Sequence, residues 1–154
     1  MGVLSSVARS RLVAAGWVEG RDVGDQVALW REMLEAQGGF KIFPAAERAL
    51  RQFGGIVVRQ DGVGLTCHRQ SFVVDPMVAV RSRKLFGRYE VFLGVGLYPL
   101  GRVFDGEAYL AIAEDERVFA VGEGAWYFGL GVVEAMDALL VGRMPKLLGS
   151  PIGP

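Results

Sequence analysis

Cysteine and histidine each occur once in the 154 residues, as Cys67 and His68. A lone cysteine excludes an internal disulfide and fits a reducing compartment, so the cytoplasm is the expected location. One thiol and one imidazole cannot make up a thiolate–imidazole zinc site, and no carboxylate spacing completes one. No metal and no cofactor is therefore expected. Long apolar runs are missing too. The longest uncharged one, "VFLGVGLYPLG", has 11 residues, against the ~18 that a membrane span needs. Arg9 and Arg11 interrupt the apolar segment near the start, which argues against a signal peptide. The opening "MGVLSS" fits the N-myristoylation pattern, but Leu4, Val7, Ala8 and Leu12 already have a use in a helix. Nucleotide loops are absent as well: no GxxxxGK[ST] occurs, and "GVG", "GEG" and "GLG" each lack the third glycine of GxGxxG. Those glycines read as turns and caps.

What is present is a globular composition. Apolar residues make up 51% and charged residues 22%, enough for one domain with a real core. Arginine outnumbers lysine 14 to 3, and the formal charge is zero. That balance is uneven along the chain. Residues 1–88 hold 13 Lys+Arg against 8 Asp+Glu, and residues 89–154 hold 4 against 9.

The first third reads as three helices. Leu4, Ala8, Leu12 and Ala15 share a face that ends at Gly16. If Gly16 is the left-handed residue after the cap, Trp17 folds back on Leu12 in a Schellman stop. "DQVALWREMLEAQ" places Val27, Trp30, Met33, Leu34 and Gln37 on one face, with Asp22 or Asp25 as cap and Gly38-Gly39 as stop. Pro44 opens "PAAERALRQF", whose apolar face is Ala46, Ala49, Leu50 and Phe53. The pattern then changes to short strands: "IVVR", "SFVVDP" closed by Pro76, "LYPLGRVF", "AYLAIA", "RVFAV" and "AWYFG". The connections "DGE", "EDE" and "GEG" are of hairpin length, which predicts an antiparallel meander. Pro99 is expected at an edge or a strand start. Residues 77–94 fit a helix through Leu85, Tyr89, Phe92 and Leu93, weakened by Gly87. "GVVEAMDALLVG" reads as a closing helix with Val132, Ala135, Met136, Leu139 and Leu140 on one face. The expected fold is α+β: N-terminal helices on a mostly antiparallel sheet, closed by a C-terminal helix. It forms a single domain over 1–142, with a loose tail over 143–154.

Catalysis is not expected. On a strand, adjacent Cys67 and His68 point to opposite faces and form no nucleophilic dyad. "RSRKLFGR", residues 81–88, interleaves bases with Phe86, but no recognition motif surrounds it and the chain is not basic overall, so nucleic acid is not an expected partner. The acidic turns stand out more. Asp105 and Glu107 flank one turn, Glu114, Asp115 and Glu116 fill the next, and Glu123 lies in the third. Alternate turns of a meander fall at the same end, so carboxylates gather at its rims. They are either solvated turn residues or a negative docking surface for a basic partner.

"AAGWVEGRDV", "FPAAERALRQFGGIVV", "FVVDP", "LYPLG", "AYLAIAEDERVFAVG" and "GLGVVEAMDALLVG" occur in the order seen in SUKH-3 domain proteins, and the chain resembles that branch of the SUKH superfamily over roughly residues 4–142. The resemblance implies a non-enzymatic immunity protein that binds and neutralises a cognate polymorphic toxin, typically a nuclease or deaminase domain. It transfers no binding site residue by residue. The expected partner surface is the acidic set Asp105, Glu107, Glu114, Asp115, Glu116 and Glu123, with Trp126 and Tyr127 as aromatic anchors. The alternatives are a general scaffold module of the same fold, or a small-ligand or nucleic-acid binder using residues 81–88.

Overall fold

A computed structural model describes residues 2–151. Met1 and the last three residues of the expected tail lie outside the described residues. The described residues fold into five α-helices, a short 3-10 helix and one seven-stranded sheet. It is α+β, as the pattern predicts.

Helix α1 spans Ser6–Ala14, capped by Ser5, whose hydroxyl accepts from the Ala8 amide. It ends in a Schellman stop. Gly16 sits at φ 100°, the Trp17 N–H donates to the Leu12 carbonyl at 2.9 Å, and the Gly16 N–H donates to Val13 at 3.0 Å. Only glycine enters that left-handed conformation at no steric cost. Trp17 is thereby buried and stacks on Phe53, ring centroids 6.0 Å apart. Helix α2, Gly24–Gly38, buries Val27, Trp30 and Leu34, while Gln37 stays exposed. Asp22 accepts from the Gly24 amide at its start, and Gly39 ends it in the left-handed conformation. Helix α3, Pro44–Phe53, buries Ala46, Ala49, Leu50 and Phe53.

The sheet is a meander in chain order. Its strands are β1 Val57–Val58, β2 Phe72–Val73, β3 Leu97–Val103, β4 Ala108–Ala113, β5 Arg117–Val121, β6 Ala125–Leu130 and β7 Lys146–Gly149. Every neighbouring pair is antiparallel. Between β2 and β3 lie the 3-10 helix Pro76–Ala79 and α4, Arg83–Leu93. The helical reading of 77–94 therefore holds for its second part, and Gly87 is accommodated within α4. Consecutive residues Val118, Phe119, Ala120 and Val121 are all fully buried. Neighbours on a strand point to opposite faces, so both faces of β5 are covered. Helix α3 packs on β3 and β4, and α5, Val132–Val141, packs on β5, β6 and α1.

Pro99 lies within β3 at a local edge, as expected: β2 reaches only Arg102 and Val103, so that flank of β3 carries no strand at Pro99. Three expectations change. Helix α5 is buried all round from Ala135 to Val141 rather than on one face, since α1 covers the side away from the sheet. Residues 59–71 form a long connection with a single bridge, Val63 to His68, in place of a regular strand at Cys67 and His68. Finally, the closing helix is not the last element. The segment expected as a tail carries β7, which pairs with β6 at the sheet edge.

Candidate functional site

In a meander starting with β1, the connections β1–β2, β3–β4 and β5–β6 fall at one end of the sheet. At this end lies a cleft of about 1120 Å³. The walls come from Cys67, His68 and Gln70 of the first connection, from Phe104, Asp105, Glu107 and Ala108 around the second, and from Gly122, Glu123, Gly124 and Trp126 around the third. Met144, Pro145 and Leu147 close it beside β7.

The long connection is held in place by backbone bonds to the end of α5. The Leu65 amide donates to Val141, and the Thr66 and Cys67 amides both donate to Gly142 at 2.9 and 3.0 Å. In return the Met144 amide donates to the Thr66 hydroxyl at 2.7 Å. The two backbones meet at Gly64 and Gly142. A Cβ on Gly64 would lie 2.5 Å from the Gly142 Cα and 2.5 Å from the Cys67 carbonyl. Val63 and Leu65 of this connection are exposed, and so are Met144 and Leu147, which line the cleft. The cleft thus carries an apolar border.

Its charge is negative. Asp105, Glu107 and Glu123 all line it, and among the described residues none of the three forms an ion pair. Phe104 and Asp105 sit at φ 58° and 54°, followed by Gly106 at 90°, a conformation that L-residues with a Cβ adopt only when the surroundings impose it. The Gly106 amide donating to Val103 and the Phe104 ring against Phe128 supply that constraint. Trp126, half-buried, completes the carboxylate side.

The expected acidic surface therefore divides. Asp105, Glu107, Glu123 and Trp126 come together in the cleft. Glu114, Asp115 and Glu116 sit in the β4–β5 turn at the opposite end, where Asp115 pairs with Arg117 at 2.8 Å and Glu116 with Arg48 at 3.5 Å. Tyr127 packs on Phe119 rather than lining the cleft. The apolar contributors Phe104, Met144 and Leu147 are not among the residues that the sequence points to. No local pattern marks them; they come from a turn and from the segment that follows α5.

The residues that invite a chemical reading have other tasks. The His68 Nε2 accepts from the Gly62 amide at 3.0 Å, so that lone pair serves the loop. Burial pushes the Cys67 thiol up from its ordinary value, away from the reactive thiolate. Among the described residues, no group of three or more His, Cys, Asp or Glu is placed to hold a metal ion. In the basic run, Phe86 is buried against Phe40 and Tyr109, and Arg83 lies over the Phe40 ring and pairs with Glu90. No base can stack on Phe86 there. What remains is a surface suited to protein contact: apolar at its border, acidic within, half-buried at Trp126.

Among the described residues no helix is long and apolar enough to cross a membrane. No curated protein and no solved structure matches the chain. A family model does match: residues 4–142 fit that of the SUKH-3 immunity protein.

Proposed function

The chain belongs to the SUKH-3 immunity protein family, and from that premise we propose that it neutralises a cognate toxin domain by direct contact, without turnover, in the cytoplasm. The docking surface is the cleft between the three sheet-end connections. Three carboxylates without cationic partners carry this reading. A nuclease or deaminase toxin presents a basic substrate groove, and an unneutralised acidic cleft steers such a groove into register. Around the charges, Trp126, Phe104, Met144 and Leu147 supply the apolar contact that a stable interface needs at its centre.

The test begins with capture of the tagged protein from its native cells and identification of what binds. One stoichiometric partner with a toxin-like domain is expected; recovery of many weak partners favours a scaffold instead. Binding of that partner is then measured for Glu107→Lys, Glu123→Lys and Glu114→Lys. The first two weaken it by about tenfold or more each, since they place a cation where the partner is basic. The third lies at the other end of the sheet and leaves binding unchanged. Full affinity in both cleft variants would remove the cleft from the interface.

A further inference from the structure

The cleft is bordered by an open sheet edge. Strand β7 is the outermost strand, pairing with β6 through Tyr127↔Lys146, Trp126↔Leu147 and Ala125↔Gly149. Among the described residues no strand pairs with its other side. Its backbone N–H and C=O groups on that side, unpaired among the described residues, are a ready template for an added strand. Leu147 turns to the cleft, whereas Lys146 and Leu148 do not line it. Leu147 is 55% exposed and Leu148 38%, and Phe92 of α4, also exposed, reaches the Gly149 end. Apolar contact is therefore available along the strand as well as backbone pairing.

Resting on the docking reading above, we propose that the partner engages this face with a short extended segment that adds to β7 as an eighth strand, setting basic side chains toward the cleft and apolar ones against Leu148 and Phe92. Charge decides the chemistry of the occupant. Strands lie about 4.8 Å apart, so an eighth strand runs about 10 Å from β6. A long basic side chain and the carboxylate of Glu123, in the turn two residues before β6, close that gap between them. Asp105 and Glu107 face the same cleft and form no ion pair among the described residues. The opposite edge does not suit the same segment. Strand β1 has two residues, and the groove beside it is lined by Arg11, Arg59 and Arg69, with Asp61 as the lone acid. The irregularity opposite Ala125 and Trp126 keeps the β7 ladder short. The added strand is accordingly short, with side chains that alternate basic and apolar.

The test uses the intact protein and a synthetic probe, the capped hexapeptide Lys-Val-Lys-Val-Lys-Val, with a second version N-methylated at alternate residues. N-methylation keeps the charges and side chains but removes the backbone donors along the pairing edge. The unmodified probe is expected to bind and to slow amide exchange across residues 146–149. The N-methylated probe binds at least about tenfold more weakly, since two lost hydrogen bonds suffice for that factor. Glu107→Gln and Glu123→Gln weaken the unmodified probe, and raising salt weakens it further. Equal binding of the two peptides overturns the proposal in favour of a contact made by charge alone. Absence of binding, or unchanged exchange at 146–149 when the probe is bound, overturns it as well. So does sedimentation showing that the edge is already occupied by a second copy. Its failure stays separate from that of the docking reading: a captured toxin whose binding depends on Glu107 and Glu123 while residues 146–149 exchange at their free rate removes the strand and leaves the cleft.

Discussion

Replacing Gly64 by alanine perturbs the cleft without touching any of its charges. The added methyl would sit 2.5 Å from both the Gly142 Cα and the Cys67 carbonyl, and 2.8 Å from the Val141 carbonyl. All three are backbone atoms, so no side chain can swing aside, and the loop must move by about 1 Å to reach ordinary contact. Four hydrogen bonds join the loop to the end of α5: from Leu65, Thr66 and Cys67 to α5 carbonyls, and from Met144 to Thr66. A shift of that size weakens or breaks most of them, at roughly 0.5–1.5 kcal/mol each. The expected loss is about 3 kcal/mol, which for a chain of this size lowers Tm by about 6–12 °C. Differential scanning calorimetry reads the shift. Amide exchange locates it: residues 65–67 and 144 open locally and become poorly protected, whereas β4 and β5 lose only what the lower global stability costs them. A variant melting within about 1 °C of the parent, with residues 65–67 still protected, would refute the argument that this glycine contact holds the cleft wall.

Three further outcomes follow from the same structure. Gly87→Ala should raise Tm by about 2–4 °C in the same calorimeter, because nothing lies within 4 Å of the new methyl in the middle of α4 and alanine is favoured there by about 1 kcal/mol. Trp17→Ala should cost about 3–5 kcal/mol in urea unfolding, since it empties a buried site and removes the stack on Phe53. Asp137 tests pH. Burial works against its charged form, but the Ser5 amide at 2.8 Å and Arg143 at 3.1 Å outweigh it and hold the carboxyl below its ordinary value of 3.8. A lowered native pKa stabilises the fold above that value and loses the contribution as pH falls through the native one. Asp137→Asn should therefore be less stable than the parent by about 1–2 kcal/mol at pH 7, and urea titrations at falling pH should show the gap closing below about pH 4. A gap that widens on acidification would reverse the assignment.

The parts of the fold legible in the sequence are those whose physics is local. The stop at Gly16 and Trp17 is decided within six residues, by a left-handed glycine and a hydrogen bond from Trp17 back to Leu12. The face of α3 follows from the 3.6-residue period at Ala46, Ala49, Leu50 and Phe53. Hairpin-length connections after Val103, Ala113 and Val121 allow no other pairing than a meander. That alternate turns share an end also follows from the meander alone, so the company of Asp105, Glu107 and Glu123 was within reach. Their separation from Glu114, Asp115 and Glu116 follows from the same rule.

Other features depend on what a segment meets across the fold. "KLLG" has neither strand alternation nor helical period, and becomes β7 only because β6 offers it an unpaired edge. Pro99 is tolerated inside the sheet because β2 stops short of it, a length that no residue near Pro99 records. Residues 59–71 carry no long pattern of their own, yet their backbone bonds to Val141 and Gly142 make them a wall of the cleft. The sequence alone determined helix ends and the order of β1 to β6, because capping, periodicity and turn length act over a few neighbouring residues. Tertiary structure alone decided which carboxylates share a cleft with Trp126 and Leu147 and which edge lies open beside them. Those are contacts between segments dozens of residues apart, set by how the sheet and α5 pack.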